Sequence, residues 1–196
     1  MPGWQEYTSP LLQKAITAED FDRSCRLLEG FECYGIVLNA LPQVLSHGDN
    51  NRRNLRIHKT MDGQVEVAAI DWEQVGIGPL GVDLASLVGA SMSVNEVEPE
   101  DLPQMEAVVY PAYLAGLREE GWEGDPAQIR LAYTAFLGLW IAVISSAVIA
   151  MWTVPENADY VRQQFGRDQE ELALGWGMAV RFALNRADEA KRLMEG

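Results

Sequence analysis

The chain has 196 residues, 48% of them hydrophobic and 22% charged, with a formal net charge of -14. That is an ordinary globular balance with enough apolar material to bury a core. The acidity excludes the clustered Lys and Arg footprint that nucleic acids and anionic membrane surfaces require, so neither is expected as a partner. The opening residues, MPGWQEYTSP, lack the basic and apolar regions of a secretory signal.

In chain order, the first predicted element runs from Thr17 to Ala40, where Phe21, Cys25, Leu28, Phe31 and Ile36 recur at roughly helical spacing and Thr17 with Asp20 supplies a start signal. One long helix is expected there. Within it Cys25 and Cys33 would stand roughly 12 Å apart, too far for a disulfide, and they read as reduced core cysteines of a cytoplasmic protein. A short strand is expected around Val44, and then RNLRIHK and QVEVAAI flank Asp62-Gly63 as the arms of a hairpin. After Gly81 the chain reads as helix upon helix: 82–90, about 99–119, a long one opening on Asp125-Pro126 and continuing to about Trp152, and a last one from about Arg167 to Met194.

The segment 131–152, LAYTAFLGLWIAVISSAVIAMW, carries no charge and is long enough to span a bilayer. Its Tyr133, Thr134, Ser145 and Ser146, and its acidic surroundings, favour a buried helix at the centre of a bundle, packed against helices near Tyr110, Val180 and Leu184. No repeat, low-complexity tract or long linker divides the chain, so one domain over 1–196 is expected.

Two patterns compete around residue 71. Gly76-Ile-Gly-Pro-Leu-Gly81 has the glycine spacing of a dinucleotide-binding turn, whereas Asp71, at the end of a strand, is placed as a metal-binding carboxylate would be. A dinucleotide turn needs its first glycine directly after the strand and a further strand after the helix. Here residues 71–75 intervene and helices follow, so the glycines read as a turn-rich loop and Asp71 as the residue that carries chemistry.

Upstream, LPQVLSHGDNNRRNLRI holds His47-Gly-Asp49 and then Asn54. A carboxylate such as Asp49 can orient an attacking hydroxyl, an amide oxygen such as that of Asn54 can hold Mg²⁺ without adding charge, and a second carboxylate such as Asp71 can bridge the ion to nucleotide phosphates. HGDNNRRN resembles the catalytic loop of the aminoglycoside phosphotransferase family, small-molecule kinases related to the protein kinases. IDWEQVGIGPLGVDLASL resembles that family's metal-binding strand end with its following loop and helix, and the resemblance is tight over about 42–87 and general beyond it.

The resemblance implies that Asp49 is the catalytic base, that Asn54 and Asp71 hold Mg²⁺ and with Arg52 contact ATP, that His47 supports the loop, and that Asp83 anchors it through backbone N–H groups. Each has a plainer reading beside it. His47 would serve as a core histidine, Asp83 as a helix N-cap, and one of Arg52 and Arg53 would point to solvent instead of stabilising a phosphoryl group. His58 receives no role.

The resemblance also implies a protein-kinase-like C-terminal lobe, mainly α with a small β-hairpin in an α+β arrangement. A helical lead-in would span 1–41, the catalytic loop, hairpin and metal-binding segment 42–81, and a helical substrate-side subdomain 82–196. Only about 46 residues precede the loop and they read as helix, so the strand-rich N-terminal lobe is expected to be lacking, and Lys14 stands in a helical context unlike a phosphate-binding lysine on a strand. The function expected is ATP- and Mg²⁺-dependent transfer of the γ-phosphoryl group to a hydroxyl of a small molecule, such as an aminoglycoside or a related alcohol. This chain alone should transfer phosphate very slowly or not at all, with self-association or a partner chain covering the bare surface. Glu96, Glu98, Glu100 and Asp101 would either meet an amine-bearing substrate or form a solvated acidic loop. The rival expectation is a non-catalytic binding or assembly module derived from the same lobe.

Overall fold

The computed structural model describes residues 9–93 and 97–196, so Glu96 lies outside the described residues. They are mostly helical, with two small antiparallel sheets. After α1 (Pro10–Ala15), helix α2 (Ala18–Glu29) opens on a reciprocal cap: the Asp20 N–H donates to the Thr17 hydroxyl at 3.1 Å and the Thr17 N–H donates to the Asp20 carboxylate at 3.0 Å. The single helix expected over 17–40 is in fact two. It breaks at Gly30, the residue type that disfavours helix by about 1 kcal/mol relative to Ala, and α3 (Phe31–Ala40) follows. The break turns Tyr34 inward and leaves Phe31 and Ile36 on the surface. Both cysteines are free but neither is in the core, Cys25 being half-buried and Cys33 exposed on the second of the two helices.

Helix α3 feeds β1 (Gln43–Ser46), and the inner hairpin follows as β2 (Leu55–Lys59) and β3 (Val65–Ala69), with Leu55 opposite Ala69 and Lys59 opposite Val65. Gly63 turns it at φ 84°. The glycine run is a strand and not a loop: β4 (Gly76–Pro79) returns antiparallel to β1, with Ser46 opposite Gly76 and Gln43 opposite Pro79. Lacking a side chain, Gly78 lets this strand lie close to Ser46 and Val82. One pair of strands is thus nested inside the other, which sets the loops at 47–54 and 70–75 side by side.

The remaining helices are α4 (Val82–Ser93), α5 (Leu102–Glu119), α6 (Pro126–Phe136), α7 (Ala142–Trp152), α8 (Ala158–Phe165) and α9 (Gln169–Glu195). Helix α9, with 27 residues and so roughly 40 Å long, is the axis on which α1, α2, α5, α6, α7 and α8 pack. Small residues along it allow close approach: a Cβ at Gly177 would stand 1.9 Å from the Ala15 carbonyl oxygen. The long helix expected from Asp125 to Trp152 is interrupted by a π-helical turn over Leu137–Ile141, where Gly138 sits against Ala187 of α9. Leu137, Leu139 and Ile149 are buried, whereas Ile144 and Met151 are exposed, so not every described side chain of the apolar segment is covered. Among the described residues no helix is long and apolar enough to cross a membrane.

Candidate active site

The end of β1 is tied to the start of α4. The Asp83 carboxylate accepts from the Ser46 hydroxyl at 2.7 Å, the His47 N–H at 3.0 Å and the Gly48 N–H at 3.2 Å, while the Asn50 amide donates to the Asp83 carbonyl at 3.1 Å. Helix α4 can start there because Gly81, at φ 115°, passes so close to α6 that a Cβ would lie 3.0 Å from the Ile129 carbonyl oxygen. The Tyr113 phenol is pushed up to about 12 by burial, with the Asp83 charge adding to the shift. Gly48 has φ 79°, and a Cβ on it would meet the Gln74 carbonyl oxygen at 2.2 Å. Glycine is therefore what allows the first loop to pack against the second.

His47 is buried and links the same two loops. Its Nδ1 accepts from the Asp49 N–H at 3.3 Å, which leaves the ring proton on Nε2, 2.9 Å from the Ile70 carbonyl oxygen to which it donates. The Trp72 ring lies 4.6 Å from the His47 ring, and its indole N–H donates to the Ala69 carbonyl at 2.9 Å. The loop is thus braced on the segment that bears Asp71.

The half-buried Asp49 carboxylate is held at both oxygens, one receiving the Asn51 amide and the other the Asn54 amide, each at 3.0 Å. Asn54 is buried, and its carbonyl accepts from the Ile70 N–H at 2.9 Å, directly before Asp71. Asp71 is exposed and adopts φ 65° and ψ 62°, the one non-glycine residue with positive φ among the described residues. Such backbone costs about 1 to 3 kcal/mol and concentrates at functional sites; Asp accepts it more readily than most residues.

Arg52 and Arg53 are exposed in the 3₁₀ turn Arg52–Asn54. Arg52 lines a cleft of about 440 Å³ together with Leu55, Ile57, Val67, Leu87 and Met105, and makes no hydrogen bond to Asp49 or Asn54. His58 is exposed on β2. Lys14 pairs with Glu170 at 2.7 Å. Of the acidic stretch, Glu98 is taken up by Arg167, whose guanidinium holds its carboxyl below the usual carboxylate range, while Glu100 and Asp101 remain at the surface.

No group of three or more His, Cys, Asp or Glu side chains that could hold a metal occurs among the described residues. The donor set of Asn54 and Asp71 fits Mg²⁺ nonetheless, because that ion takes one or two carboxylates and fills its shell with waters and substrate phosphates. The Asn54 amide nitrogen is committed to Asp49, so its oxygen is the atom that faces elsewhere. Sequence reasoning named Asp49, Asn54, Asp71, His47 and Asp83 but missed Asn51, Gly48, Asn50 and Trp72, which hold those groups in place. Asn51 carried one signal, the strong preference of Asn for capping positions.

A loop-held carboxylate next to a buried amide and a loop that bears a second carboxylate, with arginines exposed in the turn between them, is an arrangement suited to phosphoryl groups. The model of the phosphotransferase enzyme family (APH) matches residues 4–124, more than half of the chain and all of both loops. The chain belongs to that family. No curated protein and no solved structure matches it.

Proposed function

We propose that this chain is a protein-kinase-like C-terminal lobe that carries ATP- and Mg²⁺-dependent transfer of the γ-phosphoryl group to a hydroxyl of a small molecule, an aminoglycoside or a related alcohol, in the cytoplasm. The observation that carries the reading is the Asp49 carboxylate, fixed at both oxygens by amides, with Asn54 bonded through its main chain to the residue before Asp71. Asp49 orients the acceptor hydroxyl and takes its proton. The Asn54 amide oxygen and the Asp71 carboxylate hold Mg²⁺, which when bound neutralises phosphate charge during transfer. His47 and Asp83 keep the loop in register, and Arg52 supplies positive potential to the phosphates from its place beside Asn54. Charge and positioning are the main means of catalysis for this reaction, so rigidity of the loop matters more than any single contact.

A second reading, a non-catalytic binding or assembly module, draws on a different observation. Ile57, Val65, Val67 and Ile77 on the strands around the site are all exposed, a surface suited to a covering partner. Calorimetric titration with ADP in the presence and absence of Mg²⁺ separates the two. The phosphotransferase reading expects Mg²⁺-dependent binding that Asp71→Ala and Asn54→Ala each weaken by about tenfold or more, the usual scale for lost support of a metal site. Absence of such binding in the unaltered protein would leave the assembly module standing.

A further inference from the structure

We infer that Asn51 is a positioning residue that sets the catalytic carboxylate and the metal-ligating amide relative to one another; the inference rests on the phosphotransferase reading of Asp49 and Asn54. All four polar groups of Asn51 are used, and all on these two neighbours or the turn between them. Its backbone N–H donates to the Asp49 carbonyl at 2.9 Å and its carbonyl accepts from the Asn54 N–H at 3.0 Å. The side-chain amide nitrogen donates to Asp49 Oδ1 at 3.0 Å and to the Asp49 carbonyl at 3.3 Å, while the amide oxygen caps the turn Arg52–Asn54 by accepting from the Arg53 N–H at 2.9 Å. These partners settle the orientation of the amide, because a flip would set an N–H against an N–H and an oxygen against a carboxylate.

The residue type follows from that double duty. Ser, Asp and Asn cap turns about equally well. Asn, however, offers a donor to the carboxylate and an acceptor for the cap on two separate atoms, where Asp has no donor and Ser has one short hydroxyl for both. Asp would keep the cap and set a like charge against Asp49, and Ala would lose both contacts. With one amide on each carboxylate oxygen, the plane of Asp49 is fixed, while each oxygen keeps lone-pair capacity for a substrate hydroxyl.

The test compares Asn51→Asp and Asn51→Ala with the unaltered chain, following ADP release from ATP over a panel of polyols and amino alcohols, and MgADP binding by calorimetry. Asn51→Asp should lower kcat by roughly 100-fold, the cost of misplacing a reacting group by about an ångström, with MgADP affinity essentially kept because the cap that orders Asn54 survives. Asn51→Ala should lose turnover and affinity together. Unchanged kcat in Asn51→Asp overturns the inference. A readout without turnover guards against variants that fold poorly: in nitrogen-15 spectra, Asp49→Ala should shift the side-chain amide signals of both Asn51 and Asn54. An Asn51 signal that stays in place overturns the inference whatever the activity. Shifted signals in a protein that binds no MgADP would support the placement of Asp49 by Asn51 and refute the phosphotransferase reading.

Discussion

Gly48 and Asp71 are the two residues on which the meeting of the loops depends most directly. Gly48→Ala forces a Cβ into the Gln74 carbonyl and asks alanine for φ 79°. It should cost about 1 to 3 kcal/mol, the range for overpacking and backbone strain, and abolish MgADP binding; chemical denaturation and calorimetry check both, and an unperturbed protein would mean that the loops do not touch there. The tyrosines set a second expectation. Burial raises the phenols of Tyr34, Tyr110, Tyr113 and Tyr133, Tyr113 to about 12. A raised acid binds its proton more tightly in the folded state, so this contribution is full below the unfolded value of about 10 and is lost as pH climbs through the folded value. Urea midpoints should therefore fall between about pH 9 and pH 11.5, and a flat profile would contradict the burial of these hydroxyls. At this scale the sequence singled out Asp49, Asn54, Asp71 and Asp83 by residue type and spacing, and the structure places them on loops that it ties together. It was silent on Asn51 and Trp72, whose importance depends on which backbone and side-chain groups the fold brings to them.

Between elements, the joint of α5, α6 and α9 is polar where a bundle core is ordinarily apolar. The buried Glu106 accepts from Arg130 at 2.9 Å and from the Arg186 Nε at 2.8 Å, and Glu189 accepts from Arg130 at 2.6 and 2.8 Å. Burial works most strongly on Glu189 and against its charge, but hydrogen bonding to Arg130 together with the charges of Arg130, Arg186 and Arg192 outweighs it and holds the carboxyl below its usual range. Removing one member strands the others, so Glu106→Ala should lose about 3 kcal/mol or more, read as a lower denaturation midpoint; a change within about 0.5 kcal/mol, typical of surface sites, would show that the network is idle. Further toward the start of α9, Gly177→Ala drives a Cβ into Ala15 and should separate α1 from α9, exposing the N-terminal helix to proteolysis. Element type was readable from period and caps, as at Thr17 and Asp125-Pro126. Element continuity was not, because the break at Gly30 and the π turn at Gly138 are decided by packing against α9 and by local backbone preference that a periodic pattern does not contain.

At the scale of the whole molecule, a net charge of -14 opposes the apolar groups left at the surface. Ile36, Leu45, Ile57 and Ile77 are each at least two-thirds exposed, at 67, 67, 74 and 72%. Like charge keeps copies apart at low ionic strength and salt screens it over about 10 Å, so light scattering should show mass rising with both concentration and salt. A constant monomer mass in high salt would argue against self-association. The mainly helical composition was legible from the apolar periodicity after Gly81. The pairing of β1 with β4 was hidden because Gly76–Pro79 has a single β-branched residue, Ile77, set between two glycines and a proline, types that are depleted in strands. The central claim concerns Asp49, and one measurement bears on it most directly: transfer of labelled γ-phosphate from ATP to a panel of alcohols by the unaltered chain and by Asp49→Asn, at equal MgADP occupancy. The account predicts slow but measurable transfer that Asp49→Asn reduces by about 100-fold or more, the scale of a lost general base. Equal transfer by the two proteins would contradict it.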